Sequence, residues 1–88
     1  PELKRHQLAA SDLVLARELA ARFPGRALDF ARRAALAEPD SAEAHLLFGD
    51  LLRGVEEREA ARTHYERFLK LNPPFLRDVE RVRALLQR

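Results

Sequence analysis

The stretch ALDFARRAALAEPDSAEAHLLFGDLL, residues 27–52, is answered 34 residues later by ARTHYERFLKLNPPFLRDVERVRALL, residues 61–86. One step of 34 carries Ala27, Ala31, Ala34 and Pro39 onto Ala61, Tyr65, Phe68 and Pro73. The same step carries His45, Phe48 and Leu52 onto Val79, Val82 and Leu86. A chain rich in Ala and Leu gives a few such coincidences by chance. Both prolines and both anchoring alanines at one offset require a structural cause. A fixed period of a few tens of residues marks a fold that stacks one repeated supersecondary unit.

Working outward, the breakers divide the chain into five segments. They are Pro24-Gly25, the turn Glu38-Pro39-Asp40-Ser41, Gly54, and Asn72-Pro73-Pro74. Each segment spaces its apolar residues for a helix. The first runs from Glu2 to Arg22, with Leu8, Leu15 and Leu19 on one face and Ala16 beside them. It is one helix, or two if Ser11-Asp12 caps a second. The next runs from Pro24 or Gly25 to Ala37. Its proline suits a first helical turn, and Ala27, Ala31 and Ala34 form a small-residue stripe. The third runs from Ser41 to Arg53. Asp40 and Glu43 read as its capping box, and Gly54 as a left-handed terminator. The fourth, Glu56 to Leu71, carries Ala61, Tyr65, Phe68 and Leu69 and closes on a left-handed Asn72. The last, Pro74 to Gln87, turns Val79, Val82, Leu85 and Leu86 inward. Val is sparse and Ile absent, so a sheet lacks its usual residues.

Composition sets the outer limits. The 88 residues suffice for one core. A chain this small buries roughly 60–65% of its unfolded surface and is stable by about 5–10 kcal/mol. There is no cysteine, so disulfides, thiolate zinc sites and a cysteine nucleophile are excluded. No stretch is apolar enough to span a membrane as a helix, and no signal peptide is visible. The expected location is therefore the cytoplasm. The chain opens on Pro1, which points to a piece of a larger protein. Net charge is +2, and the basic residues, mostly Arg, alternate with acids, as in Glu56-Glu57-Arg58-Glu59 and Asp78-Val79-Glu80-Arg81. Alternating signs read as solvated helix surface, whereas a nucleic-acid binder gathers its positive charge on one face.

Catalytic chemistry finds little footing. His6, His45 and His64 show no metal-binding spacing. Glu56-Glu57 sits at a helix start, where acids favour the dipole. Ser11 and Ser41 read as helix-start residues, leaving Thr63 and Tyr65 as the other hydroxyls. The chain is expected to be no enzyme, with no cofactor and no metal.

The residues from Ala42 to Pro73 resemble the tetratricopeptide repeat, a 34-residue helix–turn–helix. His45 stands at that motif's first aromatic position, Phe48-Gly49 at its Leu-Gly, and Leu52 at its Tyr. Ala61, Tyr65 and Pro73 match directly. The stretch 11–39 resembles a first, degenerate unit through Leu15-Ala16, Leu19, Ala27, Ala31 and Pro39. Residues 74–87 resemble a capping helix, with Arg83 where Gly49 would recur. The resemblance implies a single all-α domain over residues 1–88. Its architecture would be a right-handed α-solenoid of antiparallel helix pairs with five helices: pairs 11–39 and 42–73, then the cap 74–87. It implies that Gly49 and Ala61 lie where helices cross closely, and that Tyr65 and Phe68 fill the space between pairs.

The family uses such folds as scaffolds that bind a partner's peptide or helix in a concave groove. Carried over, the groove would be lined by Leu13, Val14 and Arg17, by Leu46, Leu47, Asp50 and Arg53, and by Arg77 and Arg81. Leu46 and Leu47 widen the apolar face beyond Phe48, Leu51 and Leu52, as a partner site does; the plainer reading packs them on a neighbouring helix. One subfamily clamps a carboxylate with Lys and Asn, but Leu13, Arg17 and Leu47 replace those residues here. An apolar or amphipathic ligand with an acidic end at Arg77 and Arg81 fits better. The alternatives are homodimerisation through Leu46, Leu47, Leu3 or Leu8, and nucleic-acid binding through the arginines.

Overall fold

The computed structural model describes the backbone of residues 2–87 and the side chains of residues 7–87. Among them the chain forms five α-helices and no strand: α1 (Glu2–Leu19), α2 (Pro24–Ala37), α3 (Ala42–Gly54), α4 (Arg58–Lys70) and α5 (Leu76–Leu86). Each helix packs on the next, and α1 also touches α3. The thinnest dimension, 19 Å, is about that of two packed helices.

The local chemistry explains where the helices start and stop. The first segment is one helix, because Asp12 does not cap a second. Its carboxylate is buried and reaches Arg33 Nε of α2 at 3.4 Å. The buried stripe of α1 is Ala9, Asp12, Leu13 and Ala16, while Leu8 and Leu15 turn outward. That corrects the expected Leu8–Leu15 face; alanine lets α2 approach closely, and two leucines there would hold it off. α2 begins at Pro24, whose missing N–H costs nothing in a first turn. α3 is capped by Ser41, whose hydroxyl accepts from the Ala44 N–H at 3.2 Å. The expected Asp40–Glu43 box does not form, since Asp40 pairs with Arg67 and Glu43 with Arg17.

Gly54 is the last residue of α3 and is not left-handed; the left-handed residue is Glu56, with φ 64°. The Glu57 N–H donates to the Leu52 carbonyl at 2.9 Å and that of Glu56 to Arg53 at 3.0 Å. This is the Schellman pattern, two residues later than the glycine promises. Asn72, with φ 50°, closes α4 as expected, and Pro73 follows.

The 34-residue period reappears as burial. Ala27 and Ala61, Ala31 and Tyr65, Ala34 and Phe68, and Phe48 and Val82 are all buried. With Ala9, Leu13, Ala16, Ala44 and Leu52 most of them form one continuous core, against which Val79, Leu85 and Leu86 pack from α5. Gly49 is there for space. A Cβ on it would lie 2.9 Å from both Cδ1 and Cε1 of Tyr65, so the Tyr65 ring occupies the room a side chain would need.

Candidate interaction surface

The residues expected to line a groove fall into three groups. Leu13 is 5% exposed and belongs to the core, so it presents almost nothing to a ligand. Leu46 and Leu47 are half-buried and packed against the same core. Val14 is open to solvent at 52%, and Arg17, Arg53, Arg77 and Arg81 are exposed.

Two of these residues are brought together firmly. Arg81 donates from Nη1 and Nη2 to the two carboxylate oxygens of Asp50, at 2.8 and 3.0 Å. Asp50 Oδ1 also accepts the Tyr65 hydroxyl at 2.5 Å. Arg81 has a second acid, Asp78, at 3.4 Å. Burial, and then the bond to Asp50, hold the Tyr65 phenol well above its ordinary pKa. The bonds to Asp50 raise the Arg81 guanidinium further, despite its partial burial. The cluster pins α5 to α3 and fixes the Tyr65 ring over Gly49. Arg81 is thus already neutralised and does not stand open to an incoming carboxylate. Arg17 is tied to Glu43, so it links α1 to α3. Arg77 has no acidic partner among the described residues.

The histidines make a second polar cluster. His45 Nε2 lies 2.8 Å from the Pro39 carbonyl, and His45 Nδ1 lies 3.0 Å from His64 Nδ1. A carbonyl only accepts, so His45 Nε2 carries a proton; with both rings neutral, His45 Nδ1 then accepts from His64 Nδ1–H. His64 stacks on His45 and tilts over Phe48, with centroids at 5.2 and 4.4 Å. Burial, and then the charge of His45, lower the His64 pKa. The side chains of Leu3 and His6 lie outside those described. Among the described residues no group of three His, Asp or Glu side chains is placed to hold a metal, and no helix is long and apolar enough to cross a membrane.

Sequence reasoning missed one concave feature. Between the last turn of α3, the first half of α4 and the last turn of α5 lies a cleft of about 510 Å³. Arg53, Arg58 and Arg62 line it, with Glu56 as the one acid, and its floor is Ala61, Tyr65, Leu85 and Leu86. The signal was present in Arg58 and Arg62, spaced i,i+4, but alternating charges hid it. The cleft exists because α5 packs on α4 alone and reaches α3 through the Arg81 side chain. No family model, curated protein or solved structure matches this chain, so its reading rests on the geometry above.

Proposed function

We propose that this chain is a tetratricopeptide-like interaction module, which holds a peptide or helix of a partner protein against the face made by α1, α3 and α5. The observation that carries this is the gap between α3 and α5. α3 and α5 do not pack directly on one another, and a cleft of about 510 Å³ lined by Arg53, Arg62, Leu85 and Leu86 opens between their last turns. Its volume lies in the range of ligand-binding sites. Several hydroxyls and rings that a reaction would need are engaged: Ser41 caps α3, Thr63 donates to the Glu59 carbonyl, and His45 and His64 bond each other. Binding, not catalysis, is the use this surface supports.

The test is selection of a displayed random-peptide library on the folded 88-residue chain, followed by amide-shift mapping of the winners. Shifts gathered on α3 and α5 are expected. Winners that map to α2 instead, or no winner at all, would end the proposal.

One observation favours homo-oligomerisation as a second reading. Leu8 and Leu15, two turns apart on α1, are 51% and 39% exposed, and Val14 stands beside them. Light scattering decides this: a monomer at millimolar concentration removes it.

A further inference from the structure

We infer that the cleft between α3, α4 and α5 takes an acidic segment of a partner protein, one with an apolar side chain beside its carboxylates. This rests on the peptide-binding reading above and adds where the peptide is held and what it must carry.

The charges are the first argument. Five other arginines are each neutralised: Arg17 by Glu43, Arg32 by Asp29, Arg33 by Asp12, Arg67 by Asp40 and Arg81 by Asp50. Arg53 and Arg58 have no acidic partner among the described residues, and both line the cleft. Arg62 spends one N–H on the Leu86 carbonyl, at 3.0 Å, which leaves the rest of its donors. Three guanidiniums therefore face one carboxylate, that of Glu56, around a single cavity. A guanidinium presents a planar fork that fits a carboxylate with two parallel hydrogen bonds.

The floor supplies the second argument. Ala61, Leu85 and Leu86 are apolar, and a fully hydrated anion gains nothing from them. A peptide that sets a leucine or similar side chain on this floor gains the burial of that side chain, roughly 1.5–3 kcal/mol when complete. Its neighbouring Asp or Glu side chains then reach the arginine rim.

The same features disfavour a nucleic acid. A phosphate backbone wants a continuous basic track, and here five arginines beyond the cleft, Arg17, Arg32, Arg33, Arg67 and Arg81, are already paired with acids. Single strands want an exposed ring on which bases stack. The Tyr65 ring is 2% exposed and covers Gly49, so it offers no platform.

The experiment uses the whole chain and a fluorescein-labelled decapeptide of alternating Glu and Leu, read by anisotropy. The controls replace Glu by Lys, or Leu by Ala, and a labelled oligo-dT is run beside them. The Glu–Leu peptide is expected to bind with a Kd on the order of 10–100 μM, as suits a short groove. Either control change should weaken it about tenfold. Arg53→Glu and Arg58→Glu should each weaken it about tenfold as well. Arg58 sits in the first turn of α4, where an acid suits the dipole, so that variant keeps its fold. Arg53→Gln and Arg58→Gln, with unchanged circular dichroism, guard against misfolding. Glu56→Gln should tighten binding several-fold.

Undiminished binding by the Arg53→Glu/Arg58→Glu double variant overturns the inference, as does equal affinity for the Lys peptide. No binding of the Glu–Leu peptide at millimolar concentration also overturns it. Tight oligo-dT binding lost in the same variants reassigns the cleft to phosphate. A library-selected ligand that maps to α1 and α3, indifferent to Arg53 and Arg58, keeps the interaction module and removes only this cleft.

Discussion

The two helix pairs solve the same packing problem with opposite materials. The α1–α2 pair is closed by alanines: Ala9 and Ala16 from one helix, and Ala27, Ala31, Ala34 and Ala35 from the other. The α3–α4 pair is closed by Phe48, Tyr65 and Phe68, and by polar bonds between His45 and His64 and between Tyr65 and Asp50. Small residues bring backbones together but bury little area each. Rings bury 150–250 Å² each and need something to fix their orientation. The first pair should therefore fail when side chains are enlarged, and the second when they are removed.

The largest effect is expected at Phe68, which has no exposure. Phe68→Ala should cost about 3–5 kcal/mol in a urea titration, enough to unfold much of a domain this small. A loss below about 1 kcal/mol would mean that the second pair does not depend on its rings. The mirror experiment is Ala31→Leu, at the position one repeat before Tyr65. Ala31 also has no exposure, and extra methylenes there should cost about 1–3 kcal/mol. Tolerance of leucine at Ala31 would erase the contrast between the pairs.

Gly49→Ala tests the two ideas at one residue. Alanine is the better helix former by about 1 kcal/mol. Against that, its Cβ would sit 2.9 Å from the Tyr65 ring, and the ring is tethered at its far end by the 2.5 Å bond to Asp50. Overpacking of about 1–3 kcal/mol should win, leaving a net loss near 1 kcal/mol. Adding Tyr65→Phe should soften that loss by freeing the ring. Equal losses with and without the hydroxyl would show that the tether does not matter.

Legibility followed the physics of each signal. The period of 34, the five helices, Pro24 and Asn72 were readable, because packing and backbone geometry act on residue type at fixed spacing. Choices settled by tertiary partners were not. Asp40 looked like a cap until Arg67 claimed it, and Asp12 looked like a helix start until Arg33 did. Leu13 looked like groove lining because the alanine face of α1 carries too little hydrophobic contrast to orient the helix. The cleft was unreadable for a related reason: it depends on α5 leaning away from α3, and no single residue announces a gap.

Glu56 offers the same contrast in the turns that it drew in the pairs. Asn72 closes α4 in the left-handed region, where Asn is at home. Glu56 closes α3 there without that advantage, at a cost of roughly 1–2 kcal/mol. Glu56→Gly should raise stability by about 1 kcal/mol, and Asn72→Gly should change it far less. Equal gains at both sites would show that residue type does not separate the two turns.

The smallest effect concerns pH, and it belongs to the second pair alone among the described side chains. Folding lowers the His64 pKa from 6.5, through burial first and the charge of His45 second. The unfolded chain therefore takes its proton before the folded chain does. Well above pH 6.5 His64 is neutral in both the folded and the unfolded chain, and stability does not depend on it. As pH falls from there towards the lower folded value, the unfolded state binds more protons and stability declines. Protonating His64 adds its proton at Nε2 and leaves the Nδ1–H bond to His45 in place, so the cost is that of placing a charge in a partly buried site beside His45. His64→Phe keeps a ring against Phe48 and removes the titrating group. Melting temperature measured from about pH 7.5 down to pH 5 should fall in the native chain and fall less in this variant. Parallel curves would place the acid sensitivity elsewhere, and would mean that the histidine pair serves only as packing, as the alanines do in the first pair.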